Sequence, residues 1–292
     1  VGVARQLREP GRVGLGDGAA EGVLVDVADL EVLEVEAARL GRHEGGGVRV
    51  GGARRLATQT YPLERIRKVA EAAEVSVNDI FLAICSGSIR RYLLERNALP
   101  HEPLTAGLPV SVRPADDLDG GNAISFIIAN LNTVEEDPLV RLREINRSTQ
   151  LAKAHLQTMP KEAINNYTIM LMAPMMMQLV TGLGGLTRPI FNTVISNVPG
   201  PSQDLYFSGC RLTQFYPISL IPHGQALNIT VVSYSGQFNV AFTGDYDALP
   251  SMQKLAVFAG EALDELESVL NVGKAEKKAS GSKSRKKASS SD

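Results

Sequence analysis

An α/β fold is what this sequence predicts, and three observations predict it. Segments with apolar residues at helical spacing are interleaved with short β-branched runs. A chain of 292 residues with 44% hydrophobic content can also bury a substantial core. The third observation is the run Thr193-Val194-Ile195, which meets Ser196-Asn197 and then Pro199-Gly200-Pro201. The prolines forbid a helix and a continuing central strand, so the polar pair is predicted at a strand end, where sheet proteins often place groups that meet a ligand.

The elements follow in order from Tyr61. Pro62 starts a first helix with Leu63, Ile66, Val69, Ala70 and Ala73 on one face. Ser76-x-x-Asp79 reads as a capping box for a second helix carrying Ile80, Phe81, Ile84, Ile89 and Tyr92, closed by Pro100. Strands are predicted over Leu104 to Val112 and Ala123 to Asn132, around a polar turn from Asp116 to Asn122. Asp137-Pro138 opens a helix with Leu139, Leu142, Ile145, Ala152 and Leu156. Six of the seven methionines lie between Met159 and Met177. They suit either irregular core packing or a deformable wall for a long acyl chain. Asn165, Asn166, Gln178 and Pro174 argue against a membrane span there, and monotopic lipid contact stays open. Strands are then predicted over Tyr206 to Ser219, Ala226 to Tyr234 and Gln237 to Thr243, the last two joined by the turn Ser235-Gly236. A final amphipathic helix carries Leu255, Phe258, Ala262, Leu266 and Val269. Beyond Gly273 the tail has six lysines and Arg285 among serines, a composition that predicts disorder.

A net charge of −2 provides no global field for nucleic acid or membrane. The two cysteines, Cys85 and Cys210, lack metal spacing and fit buried thiols in a reducing compartment. With no visible signal peptide, the default location is cytoplasmic. From Val1 to Ala57 only Val, Ala, Asp, Glu, Gly, Leu, Pro, His, Gln and Arg occur, and Thr58 is the first other residue. These are the residues with codons beginning in G or C. A shifted frame in a GC-rich gene moves the G/C-rich third codon base into first position. Residues 1–51 are therefore predicted to be largely out-of-frame, or else a disordered leader.

None of the four histidines lies in a constellation. His43 falls in the atypical leader, His101 in a loop, His155 on an exposed helix face and His223 in a turn. There is no metal spacing, no phosphate-cradling glycine loop and no G-x-S-x-G elbow. A general base is thus missing from the orderly part of the chain.

Several segments, in one order from about Gly52 to Leu270, carry a resemblance. They are Gly52-Ala53-Arg54-Arg55 to Tyr61-Pro62-Leu63, Val77-Asn78-Asp79-Ile80-Phe81-Leu82-Ala83, Leu108-Pro109-Val110-Ser111-Val112-Arg113, and Gly121-Asn122 with its following strand. Ile195-Ser196-Asn197-Val198-Pro199-Gly200-Pro201, Tyr216-Pro217-Ile218-Ser219, Gly224-Gln225-Ala226-Leu227-Asn228-Ile229 and Ser233-Tyr234-Ser235-Gly236 complete the set. Together they resemble the bacterial wax ester synthase/diacylglycerol acyltransferase family. A peptide-synthetase condensation domain shares the architecture but matches Ser-Asn-Val-Pro-Gly-Pro less well.

The resemblance implies a chloramphenicol-acetyltransferase-like architecture of two-layer α/β sandwiches, each a mixed sheet with flanking helices, and a tunnel between them where acyl-CoA meets the acceptor. It implies O-acyl transfer to diacylglycerol or a long-chain alcohol, with acyl-CoA as co-substrate and no other cofactor. The family's base belongs to an H-H-x-x-x-D-G motif, which this sequence lacks; His43-Glu44-Gly45 is not a version of it. The chain then reads as the end of a first domain (52–118), a C-terminal domain (119–272) and a basic tail (273–292). It is predicted to be inactive without the N-terminal domain, which is its implied partner, and peripheral contact with a membrane or lipid inclusions is a further expectation. A non-catalytic acyl-CoA or lipid-binding module is the alternative. Carried over to this sequence, Ser196, Asn197 and Gly200 are the implied substrate-binding residues, with Ser196-Asn197 facing the tunnel and bonding the pantetheine arm or the thioester oxyanion. Asn78 and Asp79 match a structural motif whose acid is an ion-pair partner as well as a helix cap, and Arg113 is implied to pair across the domain.

Overall fold

The computed structural model describes residues 50–112, 124–181 and 189–272. Six strands form one mixed sheet in the order β1-β8-β7-β4-β2-β3. β1 (Arg54–Pro62) runs antiparallel to β8 (Gln237–Asp245), which forms a hairpin with β7 (Leu227–Tyr234). That hairpin turns at Ser235 and Gly236, with φ of 43° and 76°, the two left-handed positions of a tight two-residue turn. β4 (Thr193–Pro199) lies parallel to β7 and, over a short stretch, to β2 (Thr105–Ser111); β3 (Ile124–Asn130) closes the far edge antiparallel to β2. Strands on both sides of the boundary drawn near residue 118 thus share one sheet.

Every strand alternates between two faces. One face carries Ala57, Tyr61, Ala106, Leu108, Ile127, Ala129, Ile195, Ile229, Val231, Val240 and Phe242, all in one hydrophobic core. Helices cover it. α1 (Leu63–Ala72) buries Ile66, Val69 and Ala70. α2 (Val77–Glu95) is buried on nearly every side between α1, α3, α5 and the sheet, which explains its apolar sequence without any membrane. Among the described residues no single helix is long and apolar enough to cross one. Ser76 starts α2 as predicted: its hydroxyl accepts the Asp79 N–H at 3.2 Å and the Asp79 carboxylate accepts the Ser76 N–H at 3.2 Å. A Cβ on Gly87 would stand 2.9 Å from the Ala262 methyl group, so glycine sets the close crossing of α2 with α5 (Gln253–Val269). α5 buries Leu255, Ala256, Ala259, Ala262, Leu263 and Leu266, while the predicted face residue Val269 is exposed. α3 (Pro138–Gln157) begins where predicted, with the Asp137 carboxylate accepting from Leu139 and Val140 N–H at 2.8 and 2.9 Å.

The methionine-rich stretch forms α4 (Lys161–Thr181), which continues through Pro174. It meets the sheet at β3, where Thr168 and Ser125 hydroxyls lie 2.7 Å apart. Met159, Ile164 and Tyr167 pack against the core, whereas Ile169, Met170, Met176, Met177 and Val180 are exposed, so core packing does not account for the later part of this segment.

The opposite face of the sheet is polar where it is covered: Thr60, Thr230, Asn239, Thr243 and Asp245 are buried there. Its cover is an irregular strap rather than the strand predicted over Tyr206 to Ser219. Only the two-residue strands β5 (Tyr206–Phe207) and β6 (Cys210–Arg211) pair, around Gly209 at φ 80°. Beyond them Pro217 has no N–H to give a ladder, and the segment is fixed through side chains. Tyr216 Oη meets Thr60 Oγ1 at 2.7 Å, Ser219 Oγ meets Thr230 Oγ1 at 2.8 Å, and Tyr234 Oη donates to the Leu212 carbonyl at 2.9 Å.

Candidate functional site

β2 and β4 share only two rungs, Ala106 with Thr193 and Gly107 with Val194. β2 runs on to Ser111 and β4 to Pro199, with no ladder between them past that point. Their onward chains leave on opposite sides. β2 leads through β3 to α3 on the core face, and β4 leads into the strap on the polar face. Adjacent parallel strands whose connections diverge leave a crevice at their carboxyl ends, the place where open α/β sheets bind ligands. Phe191 packs closely over the last paired rung: a Cβ on Gly107 would lie 2.6 Å from its ring.

β4 forms one wall of this notch, and the structure corrects two expectations about it. The strand does not stop at Ser196-Asn197; it continues to Pro199, which pairs with Ser233 of β7. Pro199 is tolerated because, among the described residues, no strand pairs with the other edge of β4 there to demand a ladder N–H. Nor do Ser196 and Asn197 make a single wall. Ser196 sits beside Thr230 on the polar face, and Asn197 sits beside Val231 on the core face. Both are half-buried, and neither side chain has a hydrogen-bond partner among the described residues. Among the described residues no strand pairs with the β2-side edge of Ile195 to Val198, and the alternate peptide groups that point there require a partner. The notch therefore offers donors on both faces and along its edge.

Gly200 has a packing reason to be glycine. A Cβ there would approach the Ser233 carbonyl oxygen to 2.2 Å, while its N–H donates to Ser233 Oγ at 3.2 Å. It anchors the exit of β4 onto β7, and Ser235 N–H closes on the Pro201 carbonyl at 3.1 Å.

Asn78 and Asp79 lie elsewhere, at the junction of α2 and α3. Asp79 is fully buried and accepts from Ser76 Oγ at 2.6 Å, Thr149 Oγ1 at 2.8 Å and Asn146 Nδ2 at 3.0 Å, besides the Ser76 N–H. Among the described residues no cation pairs with it. The hydrogen bonds satisfy the buried carboxylate without a second desolvated charge among these residues. Asn78 is half-buried on the first turn of α2. Arg113, Gly121 and Asn122 lie outside the described residues.

No group in the described chain is a ready base or nucleophile for the notch. Cys85 is buried, and burial pushes its thiol well above the ordinary range, so no thiolate is available. Tyr61 is likewise held protonated, first by burial and then by the neighbouring Cys85. His155 stacks edge-on with Tyr167, and His223 accepts the Val50 N–H on Nδ1 at 3.0 Å. No group of His, Cys, Asp and Glu among the described residues could hold a metal ion. The notch and the strap were missed at the sequence level because both depend on strand order. The opposite facing of Ser196 and Asn197 was accessible from their adjacency alone.

Comparison with known proteins fixes the kinship. Residues 120–267 match the sequence model of the WS/DGAT C-terminal domain, and residues 38–81 match that of the wax ester synthase/diacylglycerol acyltransferase catalytic domain. The chain belongs to the wax ester synthase/diacylglycerol acyltransferase family. The second match begins inside the segment 1–51 that the sequence sets apart by composition. It also assigns β1 and α1 to the catalytic-domain sequence, although β1 completes the C-terminal sheet.

A protein of Mycobacterium tuberculosis, provisionally named a diacylglycerol O-acyltransferase, is 47% identical over 75% of this chain and 44% of its own length. The O-acyltransferase WSD of Acinetobacter baylyi is 42% identical over 76% of this chain and 48% of its own. The chain thus spans about half the length of the curated relatives it matches. The solved wax ester synthase/diacylglycerol acyltransferase of Marinobacter aquaeolei VT8 superposes with a TM-score of 0.67 at 37% identity, over 77% of this chain and 51% of that one.

Proposed function

We propose that this chain is the C-terminal half of an O-acyltransferase that moves a fatty acyl group from acyl-CoA to diacylglycerol or a long-chain alcohol. The supporting observation is the split sheet with Ser196 and Asn197 at its open edge, in a chain 47% identical to a relative provisionally named a diacylglycerol O-acyltransferase. In this reaction a base takes the hydroxyl proton, the oxygen attacks the thioester carbonyl, and the tetrahedral oxyanion collapses. The C–O bond is then formed, the C–S bond is broken and the CoA thiolate recovers a proton. The base comes from an upstream half carrying H-H-x-x-x-D-G, a motif absent from the present sequence.

The contribution of this half is electrostatic and positional. Asn197 Nδ2 and the unpaired β4 peptides donate to the pantetheine amides or to the oxyanion, while Ser196 serves the other mouth of the notch. A slender pantetheine arm passing through the split meets both side chains, as a ligand confined to one face would not. The exposed apolar side chains Ile169, Met170, Met176, Met177 and Val180 on α4 support peripheral contact with a lipid surface from a cytoplasmic location.

The test is Asn197→Ala in this chain joined to the upstream half of the M. tuberculosis relative. Loss of an oxyanion donor lowers turnover by roughly 10²-fold with the melting temperature unchanged. Unchanged turnover rejects the ligand role. Acyl-CoA binding by a joined protein that forms no ester favours a non-catalytic lipid-binding module instead.

A further inference from the structure

The mouth of the notch on the core face opens toward α4. Gly107 pairs with Val194, so three residues further along each strand Val110 stands level with Asn197 across the split. Val110 pairs in turn with Ser125 of β3, whose hydroxyl meets that of Thr168 on α4 at 2.7 Å. Asn197, Val110 and Ser125 point to the same face of the sheet. The helix is therefore pinned at the level of Asn197, over a strand only about 4.8 Å from the wall of the notch that β2 forms.

One turn past this pin, Leu171 and Met172 lie three and four residues from Thr168 and share its side of α4. Both are half-buried, yet among the described residues neither packs against the hydrophobic core, unlike Ile164 and Tyr167 on the turn before. Val110 and Val112 at the end of β2 are half-buried as well. An apolar groove between β2 and α4 thus continues the notch beyond Asn197.

Its lining suits an alkyl chain. No charged residue occurs from Ala163 to Thr181, and α4 extends about 20 Å beyond Thr168, the scale of a long acyl tail. Methionine adapts its shape at little cost, and Pro174 leaves the Met170 carbonyl without its ladder N–H, so the helix can give locally. The other mouth is built for a polar arm. Ser196 adjoins Thr230, whose hydroxyl meets that of Ser219 at 2.8 Å and donates to Asn228 Oδ1 at 2.9 Å.

We infer that the fatty acyl tail of acyl-CoA leaves the notch past Asn197 and lies between β2 and α4 against Val110, Leu171 and Met172, with the pantetheine arm at the Ser196 mouth. The thioester then sits in the notch with Asn197 Nδ2 beside its carbonyl, and Met172 sets the length of tail that is accepted. This rests on the proposed acyltransferase reading.

Every named residue of the groove belongs to this chain, so the chain as it stands is tested with palmitoyl-CoA carrying a diazirine at the middle of its acyl tail. After irradiation, peptide mass spectrometry finds the label on Leu171 or Met172, and excess palmitoyl-CoA reduces it at least tenfold. Absence of label there overturns the inference. So does label on Pro109 or Phe126, which face the other side of the sheet with Phe191. Label on the exposed Met176 and Met177, or label that excess palmitoyl-CoA leaves in place, marks a lipid-adsorbing surface and also overturns it.

Selectivity reads the same groove in the protein joined to the upstream half of the M. tuberculosis relative. Met172→Trp lowers kcat/KM for palmitoyl-CoA at least tenfold relative to that for decanoyl-CoA, and Phe126→Trp leaves the ratio unchanged. An unchanged ratio in a Met172→Trp protein that melts like the parent, or an equal fall with Phe126→Trp, overturns the inference. If Met172→Trp unfolds, the photolabel decides. Ester formation is read separately. Label in the groove without ester from the joined protein leaves the acyl seat standing and removes the acyltransferase reading, and ester without label on α4 does the reverse.

Discussion

Replacing Asp79 by alanine separates architecture from chemistry at the Asn-Asp motif. The carboxylate receives four hydrogen bonds, from Ser76 N–H and Oγ, Thr149 Oγ1 and Asn146 Nδ2. Loss of its half of the capping box costs about 1 kcal/mol. The two bonds from α3 are worth about 1.5 kcal/mol each, but Thr149 also reaches the Asn146 carbonyl at 2.9 Å and is not orphaned by the change. The net expectation is about 2–3 kcal/mol. For a folded region of this size that lowers the melting temperature by roughly 5–10 °C. Asp79→Asn keeps one acceptor oxygen and falls about halfway between. Urea titration followed by circular dichroism measures both. A loss below about 0.5 kcal/mol in Asp79→Ala, accompanied by abolished turnover in the joined enzyme, would refute the architectural role.

Three further outcomes follow from packing and titration. N-ethylmaleimide at pH 8 modifies one thiol per native chain, Cys210, and two after denaturation, because burial keeps Cys85 protonated; two in the native state contradicts its placement. Gly200→Ala forces a methyl group against the Ser233 carbonyl and destabilises by about 2–4 kcal/mol, measured by thermal melting, whereas Gly209→Ala meets open space and costs only its φ strain. Tyr92 is pushed up to about 12, chiefly by burial, with its hydroxyl donating to the Pro250 carbonyl at 2.7 Å. Its raised folded value stabilises the chain fully below pH 10 and loses that contribution as pH climbs toward 12, since the unfolded chain ionises first. Stability is therefore expected to fall over that window, and less steeply in Tyr92→Phe.

Local signals were legible in the sequence because they depend on neighbours in the chain. Ser76-x-x-Asp79, Asp137-Pro138 and Ser235-Gly236 each place their own backbone, and all three start or turn the elements they were expected to. What failed was whatever depends on distant partners. Pro199 reads as a strand stop unless the missing neighbour on its open edge is known, and Tyr216 to Ser219 reads as a strand unless its side chains are seen to replace a ladder. The notch is a property of strand order, because β2 and β4 are far apart in sequence and part after two rungs. Period-two alternation did hold the answer for Ser196 and Asn197, and the motif's compactness hid it.

The two-half enzyme is tested most directly by triacylglycerol or wax ester formation from palmitoyl-CoA and diacylglycerol or hexadecanol, by this chain alone and by the chain joined to an upstream half carrying H-H-x-x-x-D-G. No product is expected from the chain alone and steady product from the joined protein, reduced roughly 10²-fold by Asn197→Ala. Turnover by the chain alone, or a joined protein that folds and binds acyl-CoA yet forms no ester, would contradict it.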